Sequence, residues 1–260
     1  MAMLPNPLPK LAADPTGRTL GLALPPGALI DATADGPWLE PLLWYADEPA
    51  ASDTWSRLLP ARAAAGLHPV LIEAGVEYKG LEHWELAPGM MSYPGGHDAE
   101  EVLAELWEEC ADEEWPGLAP AAAAFETDPD TRAAEVTRSL VESGGLRHAR
   151  AALVHARRSA DIPASIGWCG PLNHENDVAV LCAVLRSWED RFGIRVVALT
   201  FDQLTLSVAA PPRTLEDAEA IAAEHYAFCP DNIDQGHHKT LSAYAEHEVL
   251  DREAWHFWWD

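Results

Sequence analysis

Positive charge is scarce in this chain of 260 residues: 17 Lys and Arg stand against 42 Asp and Glu, a formal net charge of −25. Contact with a phosphate backbone requires a basic surface, so the balance argues against a nucleic-acid partner. Long apolar runs are missing too. No stretch reaches the roughly 18 apolar residues of a membrane-spanning helix, and no membrane partner is expected. The opening residues, MAMLPNPLPKLAADPTG, lack the basic-then-apolar order of an export signal, so the expected location is cytoplasmic. Cys110, Cys169, Cys182 and Cys229 form no CxxC pair and no even framework, and are expected as reduced thiols. GxSxG, HExxH and phosphate-loop patterns are absent, and Gly95-Gly96 alone makes no phosphate cradle. No cofactor is called for, and no internal repeat is visible.

What is present argues for a folded chain: 48% hydrophobic residues, with 11 Trp. The clearest stretch is 166–212. Val178, Leu181, Leu185, Trp188 and Phe192 recur at helical spacing, Asn176 or Asp177 can cap the first N–H groups, and Gly193 can end the helix. Ile194 to Leu199 is β-branched, and Leu204, Leu206 and Val208 alternate with Thr205 and Ser207. These two runs should pair as a hairpin through Phe201-Asp202-Gln203, with Pro211-Pro212 stopping the second. Thr214 opens a further helix with Ala218, Ile221, Ala222, His225 and Phe228 on one face. Near the end, an extended tail would place Trp255, Phe257 and Trp259 on one face and His256 and Trp258 on the other.

Upstream, the runs at 42–45 and 69–72 flank a helical segment with Asp53 as its cap and Pro60 as a kink, which reads as a βαβ unit. Asp128 and Pro129 open another helix, which stops at Gly144-Gly145. The expected class is α+β: a mixed β-sheet with packed helices, including a βαβ unit in the N-terminal half and a helix-hairpin-helix unit in the C-terminal half. The expected layout is an irregular arm at 1–18, an N-terminal α/β subdomain at 19–148 and a C-terminal α+β subdomain at 149–260. One continuous domain is the alternative.

Acidity is concentrated in 98–114, DAEEVLAELWEECADEE. Leu103, Leu106, Trp107 and Cys110 form an inward stripe there, leaving Glu101, Glu105, Glu108 and Asp112 outward. A solvated acidic face needs no partner, but opposite charge would speed encounter with a basic one.

SWEDRFG at 187–193, the strand from Asp202 to Val208, AEHYAFCPDNIDQG at 223–236 and WHFWWD at 255–260 resemble domain-of-unknown-function family 4253. The resemblance runs from about 150 to the C-terminus and more loosely over 41–72, and it implies a bacterial source. It brings no established activity, and so no catalytic residue. It marks Trp188, Glu189, Gly193, Asp202, His225, Cys229, Asp231, Gln235 and Trp259 as family-typical.

Chemistry-bearing groups fall in two regions. Cys169 and His174 could form a nucleophile and base only if they face each other, and the bland reading is a turn packed by Trp168. Asp202 and Asp231 are further acid–base candidates. His225 and Cys229, at i and i+4, could hold zinc with His237, but no standard zinc spacing is matched and His225 sits on an apolar stripe. Two functions follow. The first is a non-catalytic protein that captures a basic partner, such as an immunity or antitoxin-like factor, through Glu101, Glu105, Glu108 and Asp112. The second is a small-molecule hydrolase using polar residues of 169–177 and 225–237. Convergence of His174, Asp202, His225 and Asp231 on one cleft would favour the hydrolase; their burial or dispersal would favour binding.

Overall fold

The computed structural model describes residues 5–74, 80–125, 127–146 and 148–260. A short helix α1 (Lys10–Ala13) lies in an N-terminal arm that buries Leu8, Leu11 and Leu22. The arm leads to β1 (Gly27–Ile30), the small hairpin β2 (Ala32–Thr33) and β3 (Gly36–Pro37), and then β4 (Leu43–Pro49). Helices α2 (Thr54–Leu58) and α3 (Pro60–Ala65) follow, separated at Pro60 as its missing N–H requires. Next come β5 (Leu67–Ile72), α4 (Ala99–Cys110), α5 (Pro129–Ser143), β6 (Arg150–His155) and α6 (Ile162–Ile166). The chain continues with α7 (Val178–Phe192), β7 (Arg195–Leu199), β8 (Gln203–Ser207), α8 (Leu215–Phe228), α9 (Asp231–Asp234), α10 (Leu241–Tyr244) with the π-helical turn Ala245–Val249, and β9 (Ala254–Trp258). No described helix is long and apolar enough to cross a membrane.

Seven strands form one mixed sheet in the order β1-β4-β6-β5-β7-β8-β9. Only β5 and β7 pair in parallel; the other neighbours are antiparallel. The α+β class is therefore as expected. The expected βαβ unit takes a modified form. Strands β4 and β5 run in the same direction, but β6 lies between them, antiparallel to both. Strand β6 belongs in the interior of the sheet on physical grounds. Its Ala151, Ala152, Leu153 and Val154 are all buried, so both of its faces need cover. Strands from either side of residue 149 thus interleave in one sheet.

The two-residue period of the strands distributes the core to two faces. Leu43, Val70, Ile72, Ala152 and Val154 join the large cluster with α4, α6, α7 and α8. Trp44, Leu67, Leu71, Ala151 and Leu153 face the cluster that includes the arm, α2 and α3. Helix α5 packs beside these over β7 and β8.

Local signals behave as their chemistry demands. The Asp177 side chain caps α7 through the Ala179 N–H at 3.1 Å, and Gly193 closes it at φ 65°. All five members of the α7 stripe are buried. The β7–β8 hairpin turns through Thr200, whose hydroxyl accepts from the Gln203 N–H at 3.0 Å. The tail is the edge strand β9, with Trp255, Phe257 and Trp259 inward.

Candidate functional site

Helix α4 carries the acidic face. The Asp98 side chain caps it, accepting from the N–H groups of Glu100 at 2.9 Å and Glu101 at 3.2 Å. Val102, Leu103, Leu106 and Trp107 are buried against α7 and α8, and Cys110 is half-buried. The Trp107 indole donates to the Glu113 carbonyl at 2.7 Å and meets Trp115 and Tyr226 edge-on. Glu101, Glu105, Glu108 and Asp112 are exposed, as are Asp98, Glu100, Glu109, Glu113 and Glu114. Among the described residues none of these carboxylates is paired with a cation. Glu100 and Glu101 favour the positive N-terminal end of the helix. Glu108 and Glu109 lie at its negative end, each opposing it by about 0.3–1 kcal/mol. At Cys110 the thiol is pushed up to about 11, first by burial, then by Asp234 of α9, with a smaller push from Glu109 of α4.

The remaining candidates do not form one constellation. Cys169 directs its thiol at the carbonyls of Gly167 (3.3 Å) and Glu85 (3.7 Å), and burial raises its pKa, opposite to what a thiolate nucleophile needs. His174 has its Nε2 buried with no hydrogen-bond partner among the described residues, and burial lowers its pKa. The Cys169 thiol is thus turned to backbone carbonyls and not to the His174 ring. Asp202 accepts from the Thr200 hydroxyl at 3.0 Å inside the hairpin turn. Asp231 accepts from Gln235 at 2.8 Å and from the Asp260 N–H at 3.1 Å, pinning the C-terminus.

The His225–Cys229 spacing breaks at the helix end. Cys229 has left helical geometry (φ −153°, ψ 80°), so the two side chains diverge. The Cys229 thiol donates to the Trp258 carbonyl at 3.0 Å, while His225 Nδ1 meets the Tyr244 hydroxyl at 3.2 Å. The His225 ring is fully buried against Trp188, Trp255 and Phe257, and burial, followed by the Arg191 charge, lowers its pKa to about 3. His237 is exposed. Among the described residues no group of three His, Cys, Asp or Glu is placed to hold a metal ion.

Beside β9 lies a cavity of about 190 Å³ that sequence reasoning missed, although it named one lining residue, His237. His238, Tyr244, Glu248, His256 and Trp258 form much of its wall. The available signal was the outward pair His256 and Trp258 on the terminal strand. It opens beside a groove of about 800 Å³ between α5 and the 248–256 segment, with which it shares Glu248 and His256.

Residues 150–260 match the family model described as Domain of unknown function (DUF4253), which bears out the resemblance for that part of the chain. No curated protein and no solved structure matches the chain. The family-typical positions have structural roles in this fold. Trp188 is core, Gly193 closes α7, and Glu189 accepts from the Ala160 N–H at 3.0 Å and lies near Arg195. Trp259 packs on Trp168 and Phe228.

Proposed function

We propose that the chain is a non-catalytic acidic protein that captures a basic protein partner, an immunity or antitoxin-like factor of a bacterial cytoplasm. The observation that carries this reading is the row of uncompensated carboxylates on α4, presented on a helix that Trp107 and its neighbours hold firmly. Such a face opposes its own helix and contributes nothing to the core, yet it steers an oppositely charged partner. The hydrolase reading has less support, because Cys169, Asp202, His225 and Asp231 each spend polar atoms on separate local partners.

The test compares wild type with the triple variant Glu101→Lys, Glu105→Lys, Glu108→Lys in parallel captures from a bacterial host. At least one captured protein should be basic and should associate more slowly with the variant. The difference should be about tenfold or more at low ionic strength and should shrink as screening shortens the field to about 10 Å at 0.1 M salt. Captures that contain no protein distinguishing the two chains, or equal association rates for a purified partner, would overturn the proposal.

A further inference from the structure

We infer that the cavity beside β9 is a recognition site for a small organic cation, a primary ammonium or guanidinium group, held by the Glu248 carboxylate among aromatic walls. This goes beyond the acidic-helix reading and stands without it, since it uses other elements and needs no protein partner.

The walls are fixed before any ligand arrives. Asn232 spends its whole carboxamide on them: its NH2 donates to the His256 carbonyl (2.6 Å) and the Tyr244 hydroxyl (3.1 Å), and its oxygen accepts from the Trp258 N–H (3.1 Å). The Tyr244 hydroxyl is also engaged by His225, so Tyr244 offers the cavity its ring and not a free donor. His256 Nδ1 meets the Thr205 hydroxyl at 3.1 Å. The His238 ring is stacked on His247, with centroids 4.5 Å apart.

One strong group in the lining keeps an oxygen without a protein partner among the described residues. The Glu248 side chain is half-exposed, and its Oε1 lies 3.4 Å from His238 Nε2. The other oxygen, Oε2, has no partner among the described residues. Among the described residues Glu248 is the one carboxylate in the lining. A carboxylate that lines one cavity together with Tyr244, Trp258 and His256 suits a cation on two counts: Coulomb attraction, and aromatic side chains in the same wall that can attract it too. At about 190 Å³ the space falls below the roughly 300–1,000 Å³ of drug-sized ligand sites and suits the end of a single side chain or a small amine. Preorganised walls keep the ordering cost of binding low.

The cation can come from a free amine or from a Lys or Arg side chain entering from the adjoining groove, and the experiment separates these. Backbone amide NMR shifts of Gly236, His256 and Trp258 are followed while the full chain is titrated with agmatine, n-butylammonium or the peptide acetyl-Gly-Arg-Gly-amide. n-Butanol and butyrate are the neutral and anionic controls. Saturable shifts are expected with the cations and not with the controls. Tighter binding of the peptide would identify a protein side chain as the source, and tighter binding of agmatine a free amine. Glu248→Gln should weaken cation binding tenfold or more while its thermal midpoint stays within a few degrees of wild type. Trp258→Leu, which keeps an apolar side chain on β9, should weaken it less. The triple reversal on α4 should leave amine binding in place even if it abolishes partner capture. The inference is overturned if none of the three cations gives a saturable shift at these amides, if folded Glu248→Gln titrates like wild type, or if butyrate binds as well as the amines.

Discussion

His225 shows how burial overrides the chemistry that a residue type suggests. An imidazole four residues from a thiol invites a metal, but this one has no exposed surface and is surrounded by Trp188, Trp255 and Phe257. Its neutral form is strongly favoured, and its pKa falls from 6.5 to about 3. His68, buried in β5, falls likewise to about 4. The folded pKa lies below the unfolded one, so the unfolded chain takes up more protons in the window between. Stability from these two groups is therefore complete above about pH 6.5 and is lost as pH falls from there toward 4 and 3. Urea-unfolding free energies measured across that window should decline toward acid, and His225→Phe should flatten the decline even if the variant is less stable at pH 7. An unchanged slope would show that the ring is not neutral in the fold. Glu224 is the opposite case, a buried charge that is fully answered. It accepts from Trp188 Nε1 (2.7 Å), from the Ala119 N–H (2.6 Å) and from both ends of the Arg191 guanidinium. Helix periodicity put His225 on a buried face, and the structure agrees; no pattern in the sequence announced that Glu224 beside it would be buried with Arg191.

At the scale of elements, caps and stops were readable because each is a local bargain between a few neighbouring residues. Asp98, Asp128, Asp177 and Thr214 all accept from the first turn of the helices they precede. Strand β9 was legible as far as its alternation, which correctly put Trp255, Phe257 and Trp259 inward. Its cavity was not, because Asn232, Tyr244 and Glu248 reach it from segments whose placement depends on tertiary packing. The outer edge of β9 is covered chiefly by Asn232, with the Cys229 thiol on the Trp258 carbonyl beside it. Asn232 occupies the His256 carbonyl and the Trp258 N–H, much as a peptide unit of an eighth strand would. Open strand edges recruit other strands. Asn232→Leu should therefore lose about 1–3 kcal/mol of stability by leaving these groups unanswered. It should also elute partly as dimers or larger species in size-exclusion chromatography. A strictly monomeric variant of wild-type stability would show that the edge is guarded by something else.

At the scale of the molecule, the sheet order was the feature least accessible from sequence. Periodicity identifies strands and the faces they bury, but says nothing about which strand lies beside which. The family-matched segment 150–260 supplies β6, β7, β8 and β9, yet β5 (Leu67–Ile72) lies between β6 and β7. Expressed alone, 150–260 should lack a cooperative thermal transition and should gain one when co-purified with a 1–149 fragment. A sharp unaided transition would mean that β6 and β7 can close the gap. The same insertion has a consequence for synthesis. Strands β4 and β5 leave the ribosome with the slot between them empty, and its occupant begins only at Arg150. At about 5–20 residues per second, the stretch from Ile72 to Arg150 takes roughly 4–16 s to make. For those seconds the nascent chain carries two apolar strands with facing edges and no native partner between them. The N-terminal half must either remain collapsed without a finished sheet or be shielded by a chaperone until β6 arrives.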